Sequence, residues 1–109
     1  MINVLKGFVL GHPAKDGNDE TDGVTWRNNG NPIAFKRVVD GKTRITVNLC
    51  GNPSGTVRKR LNTIADVYGV PDDLRFRQIK GKIHFGADRI PLNAPITILD
   101  TPTPEPRVY

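Results

Sequence analysis

Apolar and polar positions alternate most clearly between Thr43 and Leu49. Ile45, Val47 and Leu49 fall on one side of that segment, and Arg44, Thr46 and Asn48 on the other. A period of two residues is that of a strand with one buried and one wet face. The run before it, Ile33 to Val39, is equally rich in β-branched residues, and Asp40-Gly41 separates the two. A type I′ turn needs positive φ at both central positions, which Asp-Gly supplies, so the two runs predict a hairpin. Farther on, Val57, Leu61, Ile64, Ala65 and Tyr68 recur at helical spacing and predict a helix over about Thr56 to Tyr68. Ser54 or Thr56 can cap its start, Gly69 suits the position just past its end, and Pro71 forbids continuation.

The remaining segments read as short strands and turns. Ile2 to Leu10 is expected to be a first strand, with Val4, Phe8, Val9 and Leu10 in the core. Gly11 to Gly23, rich in Gly, Asp and Asn, is expected to be a flexible loop. Val24 to Arg27 reads as a short strand and Asn28 to Pro32 as a second turn. Leu74 to Lys80, Lys82 to Phe85, Arg89 to Leu92 and the edge strand Ile96 to Leu99 complete the set. Three prolines between Thr101 and Pro106 predict an extended Pro-rich tail over residues 100–109, after one globular domain over 1–99. The fold class is α+β: strands, one helix at about 56–68, then strands, as a small antiparallel sheet or a partly closed barrel.

Composition narrows the class. At 37% hydrophobic and 25% charged, the chain is globular in character. One cysteine, Cys50, cannot form an internal disulfide. With no signal-peptide pattern and no apolar stretch long enough to span a membrane, the expected location is the cytoplasm, without membrane contact. The net charge is +5, unevenly spread. Asp16, Asp19, Glu20 and Asp22 cluster in one segment, and outside it seven acids oppose sixteen bases. Such a surface attracts anions, of which nucleic acid is the most abundant large one in a cell.

Two basic features carry candidate chemistry. In the first, a Gly-rich turn at Gly51 to Gly55 leads into a helix bearing Arg58, Lys59 and Arg60. Free N–H groups at a helix start attract anions, and three cations there oppose the helix dipole unless an anion offsets them. The segment is not a Walker A loop, because no lysine follows Gly55. The second feature is Arg75, Arg77, Lys80 and Lys82, with His84 and Arg89 nearby; on a strand, Arg75 and Arg77 share a face. Trp26 and Phe35 are the available stacking aromatics, but both read as core residues, so binding is expected to be dominated by phosphate contacts. The acidic segment fails as a calcium loop: counted from Asp16 the sixth position is Thr21, and counted from Asn18 the twelfth is Asn29. A solvated flexible loop is the expected reading, and the alternative is a contact with the basic helix start that competes there with an external anion. Cys50 reads as a small core residue, and His12 and His84 form no motif with it. No catalytic residues, metal or cofactor are therefore expected, and the chain reads as a non-enzymatic binding protein.

The segment from Trp26 to Ile64 adds a resemblance. Asn31-Pro32-Ile33-Ala34, a hairpin, Ser54-Gly55-Thr56 and Arg60-Leu61-Asn62-Thr63-Ile64 follow one another there. This layout resembles a class of short bacteriophage accessory proteins, with Gly55 where that class tends to carry a second hydroxyl residue. The resemblance implies a phage product in a bacterial cytoplasm, dispensable for virion structure, and implies no activity. Two functions follow as expectations. The first is nucleic-acid binding through Arg58, Lys59, Arg60, Arg75, Arg77, Lys80 and Lys82. The alternative is an interaction factor that modulates a host enzyme or defence protein through Gly11 to Gly23 and the tail.

Overall fold

The computed structural model describes residues 2–51 and 55–102. The elements are α1 (Ile2–Leu10), β1 (Ala14–Asp16), β2 (Asp19–Thr21), β3 (Thr25–Asn28), β4 (Asn31–Val39), β5 (Lys42–Val47), α2 (Gly55–Val67), β6 (Phe76–Ile79), β7 (Lys82–Phe85), β8 (Asp88–Arg89) and β9 (Ile96–Pro102). Six strands form one antiparallel sheet in the order β1-β2-β3-β4-β5-β9, and β6-β7-β8 form a second. The α+β class therefore holds. Among the described residues the large sheet is open, ending at β1 and β9, and no closed barrel forms.

Turn chemistry sets the register. Asn29-Gly30, Asp40-Gly41 and Lys80-Gly81 all have positive φ at both positions and connect β3–β4, β4–β5 and β6–β7. Two irregularities then adjust the faces. Trp26 pairs with Ala34 but Arg27 with Pro32, so Ile33 is an extra residue in β4 and both Ile33 and Ala34 are buried. Ile98 is likewise the extra residue of β9 and is buried too.

The strand expected over Ile2 to Leu10 is a helix instead. Val4 and Phe8, and Leu5 and Val9, are spaced by four and lie buried together, whereas Leu10 is 55% exposed. The β-branched content favours a strand, but the helical spacing and the stop signal outweigh it. Gly11 has φ +79, and His12 N–H donates to Gly7 O at 2.8 Å, the six-to-one bond of a Schellman ending; Pro13 follows. The helix lies close on the sheet. A Cβ at Gly7 would sit 2.5 Å from His12 O and 3.0 Å from Ala14 Cβ. Gly7→Ala is expected to lower stability by about 1 kcal/mol, the overpacking cost exceeding the gain in helix propensity. Chemical denaturation measures this, and an unchanged midpoint would contradict the close approach.

The helix expected at 56–68 is α2, and its apolar stripe Val57, Leu61, Ile64, Ala65 and Tyr68 is buried as read. Gly69 (φ +71) ends it, with Val70 N–H donating to Ala65 O at 3.0 Å and Gly69 N–H to Asp66 O at 3.2 Å. The proposed cap Ser54 lies outside the described residues. The loop expected over Gly11 to Gly23 holds the ordered β1–β2 hairpin. The expected strands over Leu74 to Lys80 and Arg89 to Leu92 contract to β6 and β8, and β9 runs on through Asp100 to Pro102, which pairs with Lys42.

One core joins these elements. The Phe8 and Trp26 rings pack with centroids 5.9 Å apart, and Trp26 is fully buried, as expected. Lys36 points from β4 to the same side. Its Nζ donates to Phe8 O and, at 3.1 Å, to Val9 O, supplying a cation to the carbonyl end of α1. Burial pulls the Lys36 pKa below the usual lysine value. Phe35 departs from its expected place: it points to the opposite side of the sheet and is 45% exposed.

Candidate nucleic-acid interface

The small sheet is fixed on α2 by two devices. Phe76 and Ile83 are buried on its inner side, and the Phe76 and Phe85 rings pack at 4.9 Å. Asn62 of α2 takes the place of a missing strand beside β6: its Nδ2 donates to Phe76 O at 3.0 Å, and its Oδ1 accepts from Phe76 N–H at 2.9 Å. This settles which face of the sheet looks outward.

Direct pairing then groups the outward residues. Arg77 lies opposite His84, His84 opposite Arg89, and Ile79 opposite Lys82. Directly paired residues share a face, so Arg77, Ile79, Lys82, His84 and Arg89 form one surface. Arg77, Lys82 and Arg89 are exposed and His84 is half-buried. Asp88, the nearest acid in sequence, pairs with Phe85 and belongs to the opposite side. The surface thus carries three guanidinium or ammonium groups and no carboxylate of its own strands. Arg77 Nη2 donates to Gly86 O at 3.0 Å, which aims the side chain across the sheet. Lys82 and Arg89 also line a cleft of about 300 Å³ with Ile90, Pro91 and Leu92. Lys80 stands in the β6–β7 turn at φ 51 and is exposed.

The other sequence-derived candidates are used differently. Arg75 precedes β6 and does not join Arg77 on its face. Its guanidinium folds back to Asp66 Oδ1 (2.7 and 3.1 Å) and donates to the carbonyls of Val70 (2.9 Å), Pro71 (2.7 Å) and Leu74 (3.0 Å). Only 14% of that side chain is exposed, so it fastens the chain leaving α2. Arg60 Nε donates to Asp19 Oδ2 at 3.1 Å. The acidic segment therefore does reach the basic helix. Arg58 Nη2 donates to Gln78 Oε1 at 3.2 Å, while its Nε is buried without a partner. Lys59 is exposed on α2. The turn expected to hold a phosphate with Arg58 and Lys59 falls largely at 52–54, outside the described residues.

The acidic segment spends its carboxylates on the fold. Asp19 is 3% exposed. Its Oδ1 accepts from Trp26 Nε1 (3.1 Å) and Asn28 Nδ2 (2.9 Å) while Oδ2 takes Arg60. Burial pushes the Asp19 carboxyl up, but the Asn28 and Trp26 hydrogen bonds and the Arg60 charge outweigh it, and the net pKa lies below the usual value. Asp22 accepts from the N–H groups of Val24 (2.9 Å) and Thr25 (2.8 Å), which holds its carboxyl low as well. Cys50 is half-buried with Sγ 3.1 Å from Pro32 O, and burial pushes its pKa up, away from the thiolate form. Among the described residues, no three His, Cys, Asp or Glu side chains converge as metal ligands, and no helix is long and apolar enough to cross a membrane.

No family model matches the chain, and neither a curated protein nor a solved structure gives a significant match.

His84 and Arg89 were visible in sequence but could not be placed on the Arg77 face without the register. The Lys80-Gly81 turn held that signal. A two-residue turn there pairs Ile79 with Lys82, and Arg77 with His84 follows by counting.

Proposed function

We propose that this chain is a small non-enzymatic protein that binds nucleic acid through phosphate groups on the outer face of its three-stranded sheet. One observation carries the reading: Arg77, Lys82 and Arg89 stand together around His84 on one exposed face to which its own strands bring no carboxylate. Lys80 extends the charge at the hairpin tip. Arg60 and Arg75 stabilise the fold and contribute to the field without touching the ligand. The surface has cations but little aromatic area, so it grips backbone and reads no bases. The likeness of Trp26 to Ile64 to phage accessory proteins supplies the setting, a bacterial cytoplasm in which nucleic acid is the abundant polyanion.

Three phosphate contacts give a salt dependence of slope roughly −2 to −3, or about a 30-fold loss of affinity over a fourfold rise in salt. Affinity capture from bacterial lysate tests the proposal. Nucleic acid is expected to be retained at low salt and released by high salt or nuclease. A single protein retained through both treatments, with no nucleic acid at low salt, would instead favour a host-directed interaction factor.

A further inference from the structure

The large sheet has an open face of its own. α1 covers the inner side, where Phe8 meets Trp26 and Lys36 reaches the end of the helix. On the outer side, direct pairing forms rows across the strands. Thr25, Phe35, Thr46 and Thr97 make one row over β3, β4, β5 and β9, with the Thr46 and Thr97 hydroxyls 3.3 Å apart. Arg37, Arg44 and Asp100 make the next. Phe35 is an exposed ring inside the first row.

The second row is electrostatically incomplete. Arg37 and Arg44 face each other directly, and like charges in that arrangement repel. Arg44 is matched by Asp100 at 3.1 Å, while Arg37 has no carboxylate partner among the described residues. With Val39, Asp40 and Lys42, these residues line a cleft of about 390 Å³. Phe35 and Arg37 lie on the same face of β4, about 7 Å apart along the strand, within reach of a base and its own phosphate.

We infer that this face is a second contact surface, specific for single-stranded nucleic acid, with a base stacked on Phe35 and a neighbouring phosphate held at Arg37 and Lys42. The inference rests on the nucleic-acid reading above and adds a preference for unpaired bases. An exposed ring meets the π-face of an unstacked base, which a duplex does not offer, and the unmatched guanidinium gains the anion that its own sheet does not supply. The row of threonines lets the strand lie close without steric hindrance or repulsion.

The test is binding of labelled single-stranded DNA and RNA oligonucleotides, and of the corresponding DNA duplex, to the full chain and its variants. Phe35→Ala is expected to weaken single-strand binding roughly tenfold and leave duplex binding unchanged. Phe35→Trp, which keeps a stacking surface, is expected to retain the affinity, and Arg37→Gln to weaken it. Phe35 and Arg37 are exposed, so circular dichroism should show all three variants folded. If Phe35→Ala binds single strands like wild type while an Arg77→Gln/Arg89→Gln variant binds both forms more weakly, this inference fails and the phosphate-binding face stands. If wild type binds neither form, both fail.

Discussion

Replacing Asp19 with alanine is expected to lower stability by about 3 to 5 kcal/mol, the cost of removing one member of a buried ion pair. Asp19 is where three segments meet. It receives Trp26 of β3, Asn28 of the same strand and Arg60 of α2, and is itself on β2. Alanine leaves two buried donors and a largely buried guanidinium without an acceptor. Arg60→Met is expected to cost less, because Asp19 then keeps its two neutral donors and Arg60 is 23% exposed. The same site predicts acid sensitivity. The folded carboxyl titrates below the usual 3.8, so its stabilisation is fully present above that value and is lost as the pH falls through the folded pKa. Denaturant unfolding of wild type and Asp19→Asn across acidic pH checks the sign. The wild-type advantage should begin to shrink below about pH 4 and vanish below the folded pKa, and an advantage undiminished at the acid end of the range would show that charge is not what holds the node.

The second large effect separates two arginines that are alike in sequence. Arg75→Ala is expected to cost about 2 to 3 kcal/mol of stability, since its guanidinium serves three backbone carbonyls and Asp66 from a largely buried position. Its effect on nucleic-acid affinity is expected to be small. Arg77→Ala should do the reverse, because that side chain is exposed and makes one hydrogen bond to Gly86 O. Thermal unfolding and oligonucleotide binding, measured on both variants, give the two-way comparison. Equal losses of affinity would put Arg75 back in the interface.

The sequence made much of this fold legible, most reliably where turn chemistry and periodicity agreed. The Asp40-Gly41 hairpin and the stripe and ending of α2 follow from local rules that nothing distant overrides. Ile2 to Leu10 departs from the expected strand because the Val4/Phe8 and Leu5/Val9 spacing and the Gly11-His12-Pro13 stop favour a helix. The acidic segment is an ordered hairpin rather than the expected flexible loop because its order depends on Trp26, Asn28 and Arg60, which are distant in sequence or on another element. Phe35 faces outward rather than into the core because Ile33 is an extra residue, and a bulge inverts the faces of everything after it. The candidate site was half legible. Its charges were visible, but which arginines are free depends on tertiary partners such as Asp66 and Asp19.

The central claim is that the outer face of the small sheet binds phosphates, and the most direct measurement is the salt dependence of single-strand affinity for wild type and an Arg77→Gln/Arg89→Gln variant. Each removed cation should reduce the logarithmic slope by about 0.7, so the variant should bind more weakly at low salt and with a slope shallower by about 1.4, at unchanged thermal stability. Equal slopes, or no binding by wild type at low salt, would contradict the account.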